Sequence, residues 1–334
     1  MNHKERVHAV LNGEQPDRLP VSTWGHDFLR EWSAADLAAH TIERQQTYDY
    51  DFVKLNPRWT MFAEPWGNNY APPSEQKFPR LTHKIVSHAE DLRDIPQVTA
   101  GHPVFKEHIE ALKLVLDGLK GDVDVIATIF SPLAITGLLC GGVGEPLRSF
   151  AQQEGEALHE ALGHISDTLT DHVRDLLQTG ASGIFFAPLQ WTSLDVCDDA
   201  FFNEFGRPYD LKVLNAASDA PFNMMHVCGN NIGLQRFFDY PAQVFNWDNF
   251  GPGNLSLAEA SALTDKVVAG GIPHTKLHRL TGPELTQVTS NAIEGAGPNL
   301  MLAGGCGVGA LVNDEIRCAV AQVPAKLQRP NGAG

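Results

Sequence analysis

Short apolar runs alternate with longer segments of helical periodicity along this chain. Eight runs recur, at 19–23, 52–56, 123–130, 183–187, 222–226, 244–247, 266–269 and 299–303. Several are apolar without interruption, which predicts strands covered on both faces. Helical patterns lie between them, those at 103–119 and 155–177 being long. The segment 199–218 reads as an amphipathic helix with Phe201, Phe202, Phe205 and Tyr209 on its apolar side. Parallel strands need crossovers and are buried by them. Eight alternating units therefore predict a single α/β domain, a (β/α)8 TIM barrel, over residues 1–325. An open, doubly wound sheet is the rival. Eight units count against it, as does the lack of a glycine-rich dinucleotide turn after the first run.

Two stretches break the alternation. Residues 59–97 are irregular and proline-rich, with Ala71-Pro72-Pro73 at their centre. They predict a long excursion after the second strand, either a lid over the barrel mouth or a solvated insertion. Residues 326–334, with Pro330, Gly332 and Gly334, predict a frayed tail. No internal repeat is visible.

Composition narrows the function classes. The 334 residues accommodate a barrel of roughly 250 plus insertions. A formal charge of −15 repels phosphate backbones and argues against nucleic-acid binding. No apolar run reaches the roughly 18 residues of a membrane helix. The polar start, Met1-Asn2-His3-Lys4-Glu5-Arg6, does not read as a secretory signal, so a cytoplasmic protein is expected. Five cysteines, an odd number, argue against a disulfide framework. Cys140, Cys197 and Cys318 read as structural, with Cys318 facing the barrel.

The other two cysteines have a different setting. The fifth run leads into His226-Val227-Cys228-Gly229, and the eighth into Gly304-Gly305-Cys306-Gly307. Alternate residues of a strand point to one side, so His226 and Cys228 converge at a strand end. All strands of a barrel end at one face, which lets Cys306 meet them. Two thiolates and an imidazole suit zinc, and three protein ligands leave one position open, as in catalytic sites. The charges of such a site sum to zero. It is a weaker Lewis acid than a three-histidine site, and better suited to thiolate alkylation than to hydrolysis. A small core thiol and a satisfied polar imidazole remain the alternative reading. The glycine turns after both cysteines favour the metal.

The chain resembles the uroporphyrinogen decarboxylase superfamily over nearly its whole length. Within it, the similarity is to the zinc methyltransferase branch of the methylcobalamin:coenzyme M type. Arg6-Val7-His8-Ala9-Val10-Leu11-Asn12-Gly13-Glu14 and Pro16-Asp17-Arg18-Leu19-Pro20-Val21 carry the resemblance at the start. Phe130-Ser131-Pro132-Leu133, Gly180-Ala181-Ser182-Gly183-Ile184, Phe205-Gly206-Arg207-Pro208-Tyr209, Asn246-Trp247-Asp248 and Ala269-Gly270-Gly271-Ile272 continue it. The most specific matches are His226-Val227-Cys228-Gly229-Asn230 and Gly305-Cys306-Gly307. The decarboxylases grip porphyrin carboxylates with an R-Q-A-G-R-Y motif after the first strand. Here that stretch is Val21-Ser22-Thr23-Trp24-Gly25-His26-Asp27-Phe28, and its first arginine is Arg30. A polyanionic substrate lacks its clamp.

The resemblance implies a zinc ion on His226, Cys228 and Cys306, which also form the catalytic centre. It implies methyl transfer from a methylcobalamin-type corrinoid to a small-molecule thiol. The corrinoid would sit on a separate corrinoid protein, since no cobalamin-binding segment is evident. A homodimer is implied too. Trp24, His26, Asp248 and His274 are the substrate-binding candidates near the barrel mouth, with Glu64 and Trp66 in the excursion. Asp248 also reads as a strand-end cap, and Trp24 as core. A decarboxylase-like lyase, or a non-catalytic zinc- or corrinoid-binding protein, is the alternative function.

Overall fold

The computed structural model describes residues 1–142 and 144–327. The expected tail from residue 328 onward lies outside them. Ten strands are present among the described residues. They are β1 Val21–Ser22, β2 Phe52–Leu55, β3 Asn69–Ala71, β4 Arg80–His83, β5 Asp124–Phe130, β6 Gly183–Ala187, β7 Met224–Val227, β8 Val244–Trp247, β9 Val267–Ile272 and β10 Leu300–Gly304. All but β3 and β4 form one parallel sheet in the order β1-β10-β9-β8-β7-β6-β5-β2. Every residue of those eight strands is buried, which is why their runs are mostly apolar. Each expected run coincides with one of them. The rival open sheet is excluded, because the two end strands meet. Asp51 N donates to the Val21 carbonyl at 2.8 Å, and Ser22 Oγ to the Phe52 carbonyl at 2.6 Å. The fold is a TIM barrel with a short β1 at its seam.

Charge stitches that seam at the N-terminal end of the barrel. Asp51 is fully buried and accepts from Arg6 Nη1 at 2.6 Å, Arg18 Nη1 at 2.6 Å and Val21 N at 2.8 Å. Arg6 lies on the first helix, His3–Leu11, which this carboxylate fastens across the barrel floor. Burial alone would raise the Asp51 pKa, but hydrogen bonds from His3 and Arg18 bring it below the ordinary carboxylate value.

The long expected helices form, at Pro103–Leu119 and Gly155–Thr179. The expected helix at 199–218 is instead three pieces: α over Asp199–Phe201, π over Phe202–Gly206, α over Arg207–Asn215. Pro208 has no N–H to donate, and Arg207 N reaches back five residues to the Phe202 carbonyl. Phe202 and Phe205 are buried as expected, while Phe201 and Tyr209 are half-buried.

The excursion holds two 3₁₀ turns, Trp59–Phe62 and Glu64–Trp66, the β3–β4 hairpin, and a third turn, Ala89–Asp94. Met61, Phe62, Ala63, Trp66, Val86 and Leu92 are buried, so a solvated insertion does not describe it. Phe78, near its tip, is 65% exposed and touches Phe28, with ring centres 4.8 Å apart. No helix among the described residues is long and apolar enough to cross a membrane.

Helices Pro103–Leu119 and Gly155–Thr179 meet through two buried imidazoles. His108 Nδ1 lies 3.1 Å from His172 Nε2, between the rings of Phe62 and Phe105. Burial pushes His108 down to about 3 and His172 well below its ordinary value. Both are neutral in the folded protein and titrate near 6.5 when unfolded. The stability they permit is therefore present above pH 6.5 and lost as pH falls below it. Between pH 7 and 5 His108 is expected to cost about 2 kcal/mol, and His172 acts in the same direction. Urea unfolding of the double variant His108→Leu, His172→Leu should show a correspondingly shallower loss. An unchanged slope would assign the acid sensitivity to other groups.

Candidate metal centre

His226, the last residue but one of β7, is buried at 3% exposure, and Cys228 follows one residue beyond the strand. The strand's alternation puts both on one side, and Gly229 turns the chain with φ +105°. Cys306 arrives two residues after β10. Any Cβ on Gly305 would collide with Asp248, so glycine lets this turn pass the end of β8. The ligand atoms of His226, Cys228 and Cys306 all lie within 4.8 Å of one another. No other such group of three is found among the described residues.

Behind this group stands Asn246, which pairs in register with His226 across β7 and β8. Its Nδ2 donates to the carbonyls of Ala269 at 2.9 Å and Gly304 at 3.0 Å. That fixes the amide, leaving Oδ1 facing His226 Nδ1 at 2.7 Å. The pattern assigns the proton to Nδ1 and turns the Nε2 lone pair to the cysteines. Phe185 of β6 stacks on the imidazole at 5.0 Å, and Trp24 meets Phe185 edge-on at 5.1 Å.

The two sulfurs are joined by a hydrogen bond. A hydrogen bond from Cys228, helped by His226, holds Cys306 well below the usual thiol range despite burial. The same bond, with burial, pushes Cys228 well above it. One thiolate, one thiol that a cation can deprotonate and one oriented lone pair are a donor set that fits zinc.

Of the residues singled out in the sequence, Trp24, Asp248 and His274 lie around this centre. His274 Nδ1 is buried without a hydrogen-bond partner, 4.0 Å from Asp248 Oδ1. Burial lowers its pKa, and Cys306 and Asp248 oppose the shift. Asp248 Oδ1 also accepts from Phe250 N at 3.1 Å, closing a turn after β8; it caps no helix, since the next one, Leu257–Ser261, is capped by Ser256. His26 turns elsewhere, to Glu31 at 2.8 Å and onto the ring of Phe28. Glu64 is committed to Arg58, and Trp66 Nε1 to the Pro96 carbonyl at 3.0 Å. Cys140 and Cys197 are buried core thiols, pushed up by desolvation to about 12 and 11. Cys318 is half-buried near the Thr47 carbonyl at 3.9 Å, not inside the barrel; its helix presents that position to the Ala34–Tyr48 helix.

Sequence reading passed over Asn246 as a site residue, and Lys54 and Phe185 entirely. Lys54 is nine-tenths buried, and its Nζ sits 4.4 Å above the Phe185 ring, bonded to Asn56 Oδ1. Desolvation lowers it to about 7, although Cys306 and Glu31 raise it. A lysine and an asparagine inside apolar strand runs were the available signals.

The uroporphyrinogen decarboxylase (URO-D) family matches residues 2–316. The chain belongs to that family. Its URO-D barrel is similar to a methyltransferase from Methanosarcina mazei, at TM-score 0.80 and 17% identity, covering 98% of this chain and 99% of that one. It is also similar to a B12-independent methionine synthase from Shewanella sp. W3-18-1, solved in complex with selenomethionine. There the TM-score is 0.62 and the identity 12%, over 92% of this chain and 96% of that one. At these identities the likeness concerns the fold. Among curated proteins no sequence matches.

Asn246→Leu is expected to weaken metal binding by about 10–100-fold while keeping the fold, because it frees the imidazole without removing a ligand. Competition with a chromophoric chelator measures this. Wild-type affinity in the variant would mean that packing alone orients His226.

Proposed function

We propose that this chain is a zinc-dependent methyltransferase. It moves a methyl group from a methylated corrinoid, carried by a partner protein, to a small thiol held at the barrel mouth. The convergence of His226, Cys228 and Cys306 within 4.8 Å carries this reading. The neighbouring structures support the methyl-transfer part of this reading, since one is described as a methyltransferase and the other as a B12-independent methionine synthase.

His226, Cys228 and Cys306 would hold the ion, and Asn246 would keep the imidazole in its ligating tautomer. Bound zinc supplies a Lewis acid that lets an acceptor thiol lose its proton near neutral pH. The acceptor's sulfur forms the new S–CH₃ bond as the Co–CH₃ bond of the corrinoid breaks. The electron pair stays with cobalt, and the thiol proton is released. Phe185 and Trp24 keep water from the imidazole side of the centre.

The experiment is elemental analysis of the purified protein, followed by methylcobalamin consumption with a panel of thiols. About one zinc per chain and thiol-dependent loss of methylcobalamin are expected. Turnover of a carboxylic acid without zinc would replace this reading by a decarboxylase-like lyase. Zinc without any methyl transfer, alone or with a corrinoid protein, would make the chain a binding protein.

A further inference from the structure

A recess of about 200 Å³ opens beside the barrel seam, between the helices Ala34–Tyr48 and Asp314–Lys326. The loops that follow β1 and β10 form its other walls. Three arginines line it; Arg30 is paired with Glu43, which leaves Arg44 and Arg317. Arg317 is only 4% exposed. Its Nε and Nη2 donate to the carbonyls of Val312 at 2.9 Å and Gly309 at 2.7 Å, while Nη1 is buried with no partner. Arg44 makes one long bond, from Nη2 to the Thr23 carbonyl at 3.5 Å. His40 Nε2, in the same wall, is also buried and unpartnered.

The carboxylates of this recess have other partners. Glu43 takes Arg30 at 2.7 Å, Asp314 takes the Tyr48 hydroxyl at 2.6 Å, and Asp27 takes Gln76 Nε2 at 2.7 Å on Oδ1, with its Oδ2 3.5 Å from His40 Nδ1. Among the described residues no carboxylate lies within 4.0 Å of either guanidinium. In a chain of net charge −15, one buried and one half-buried guanidinium thus line the same recess without a paired carboxylate. Burial, and then Arg317, lower the pKa of Arg44. A desolvated cation with a free donor is costly unless something pairs with it. The guanidinium fork matches phosphate and carboxylate oxygens.

We infer that this recess binds an oxyanion, held by Arg44, Arg317 and His40. Arg44 also lines a cavity of about 30 Å³ with Trp24, Lys54 and Asn56, so the subsite adjoins the rings around the metal centre. The oxyanion is the outer end of a ligand whose body lies at the barrel mouth, where barrels of this kind also bind phosphate groups. The inference stands on the recess itself and does not require methyl transfer.

Calorimetric titration of the full chain with inorganic phosphate, and separately with acetate, tests it at fixed ionic strength against chloride. Saturable binding of one anion is expected, and which one saturates identifies the group as phosphate or carboxylate. Arg44→Met should bind that anion about tenfold or more weakly, with its anion-free melting temperature unchanged. A second measurement needs no variant. Phenylglyoxal labelling of wild type, read by peptide mass spectrometry, should slow at Arg44 in that anion and not at the exposed Arg174. No saturation beyond chloride, wild-type affinity in Arg44→Met, or no protection of Arg44 would overturn the inference.

Discussion

Cys306→Ala is expected to drop zinc from about one per chain to a small fraction, and thiol methylation with it. The loss of affinity should exceed about a hundredfold, since even a residue behind a ligand is worth 10–100-fold. Its removal deletes one of the three candidate ligands and also the hydrogen-bond partner of Cys228. Cys306 is half-buried in a glycine turn beyond the strand, so the variant should melt like the metal-free wild type. That comparison separates a ligand from a structural thiol. Stoichiometric zinc in Cys306→Ala would remove the three-ligand site and the argument for methyl transfer together.

Asp51→Ala is expected to destabilise the barrel by about 3–5 kcal/mol in urea unfolding, the cost of leaving buried charge unpaired. Arg6 is 6% exposed and Arg18 half-buried, and both aim their guanidiniums at this carboxylate. The loss acts at the seam, where β1 is two residues long and joins β2 by only a few bonds. The sign with pH follows from the lowered Asp51 pKa. Its contribution is present above the unfolded value near 4 and is lost as pH falls through the folded value. Zinc content should survive at temperatures where the variant stays folded, because the centre lies at the opposite end of the strands. A loss below about 1 kcal/mol would mean that packing of the His3–Leu11 helix closes the barrel unaided.

Much of this architecture was legible because burial on both faces leaves a one-dimensional mark. A strand such as Asp124–Phe130, buried at every residue, has to be written almost wholly in apolar letters. The helix at Pro103–Leu119 carries its own start, with Pro103 in the first turn and His102 capping Val104 N at 3.3 Å. The excursion was harder. Its prolines and polar residues look solvated, yet Phe62 and Trp66 anchor it in the core, and only the tertiary contacts reveal that. The π turn at Phe202–Gly206 was equally hidden, since a period of 3.6 does not register one displaced residue.

The metal centre divides along the same line. Period-two alternation and the glycine turns determined in the sequence that His226 and Cys228 converge, and a closed barrel then brings Cys306 to the same face. His26 failed because the chain leaves β1 at Ser22, and beyond a strand's end alternation no longer decides where a side chain points. Asn246 and Lys54 acquire their roles from register and closure. Asn246 faces His226 because β7 and β8 pair in that register, and Lys54 reaches Phe185 because both strands turn inward. Arg44 and Arg317 meet only where the last helix packs beside the first strand's crossover. Local pattern thus determined the eight strands and the three candidate ligands. Tertiary structure alone decided the residues that orient, shield and charge them, because contacts between distant segments leave no periodic trace along the chain.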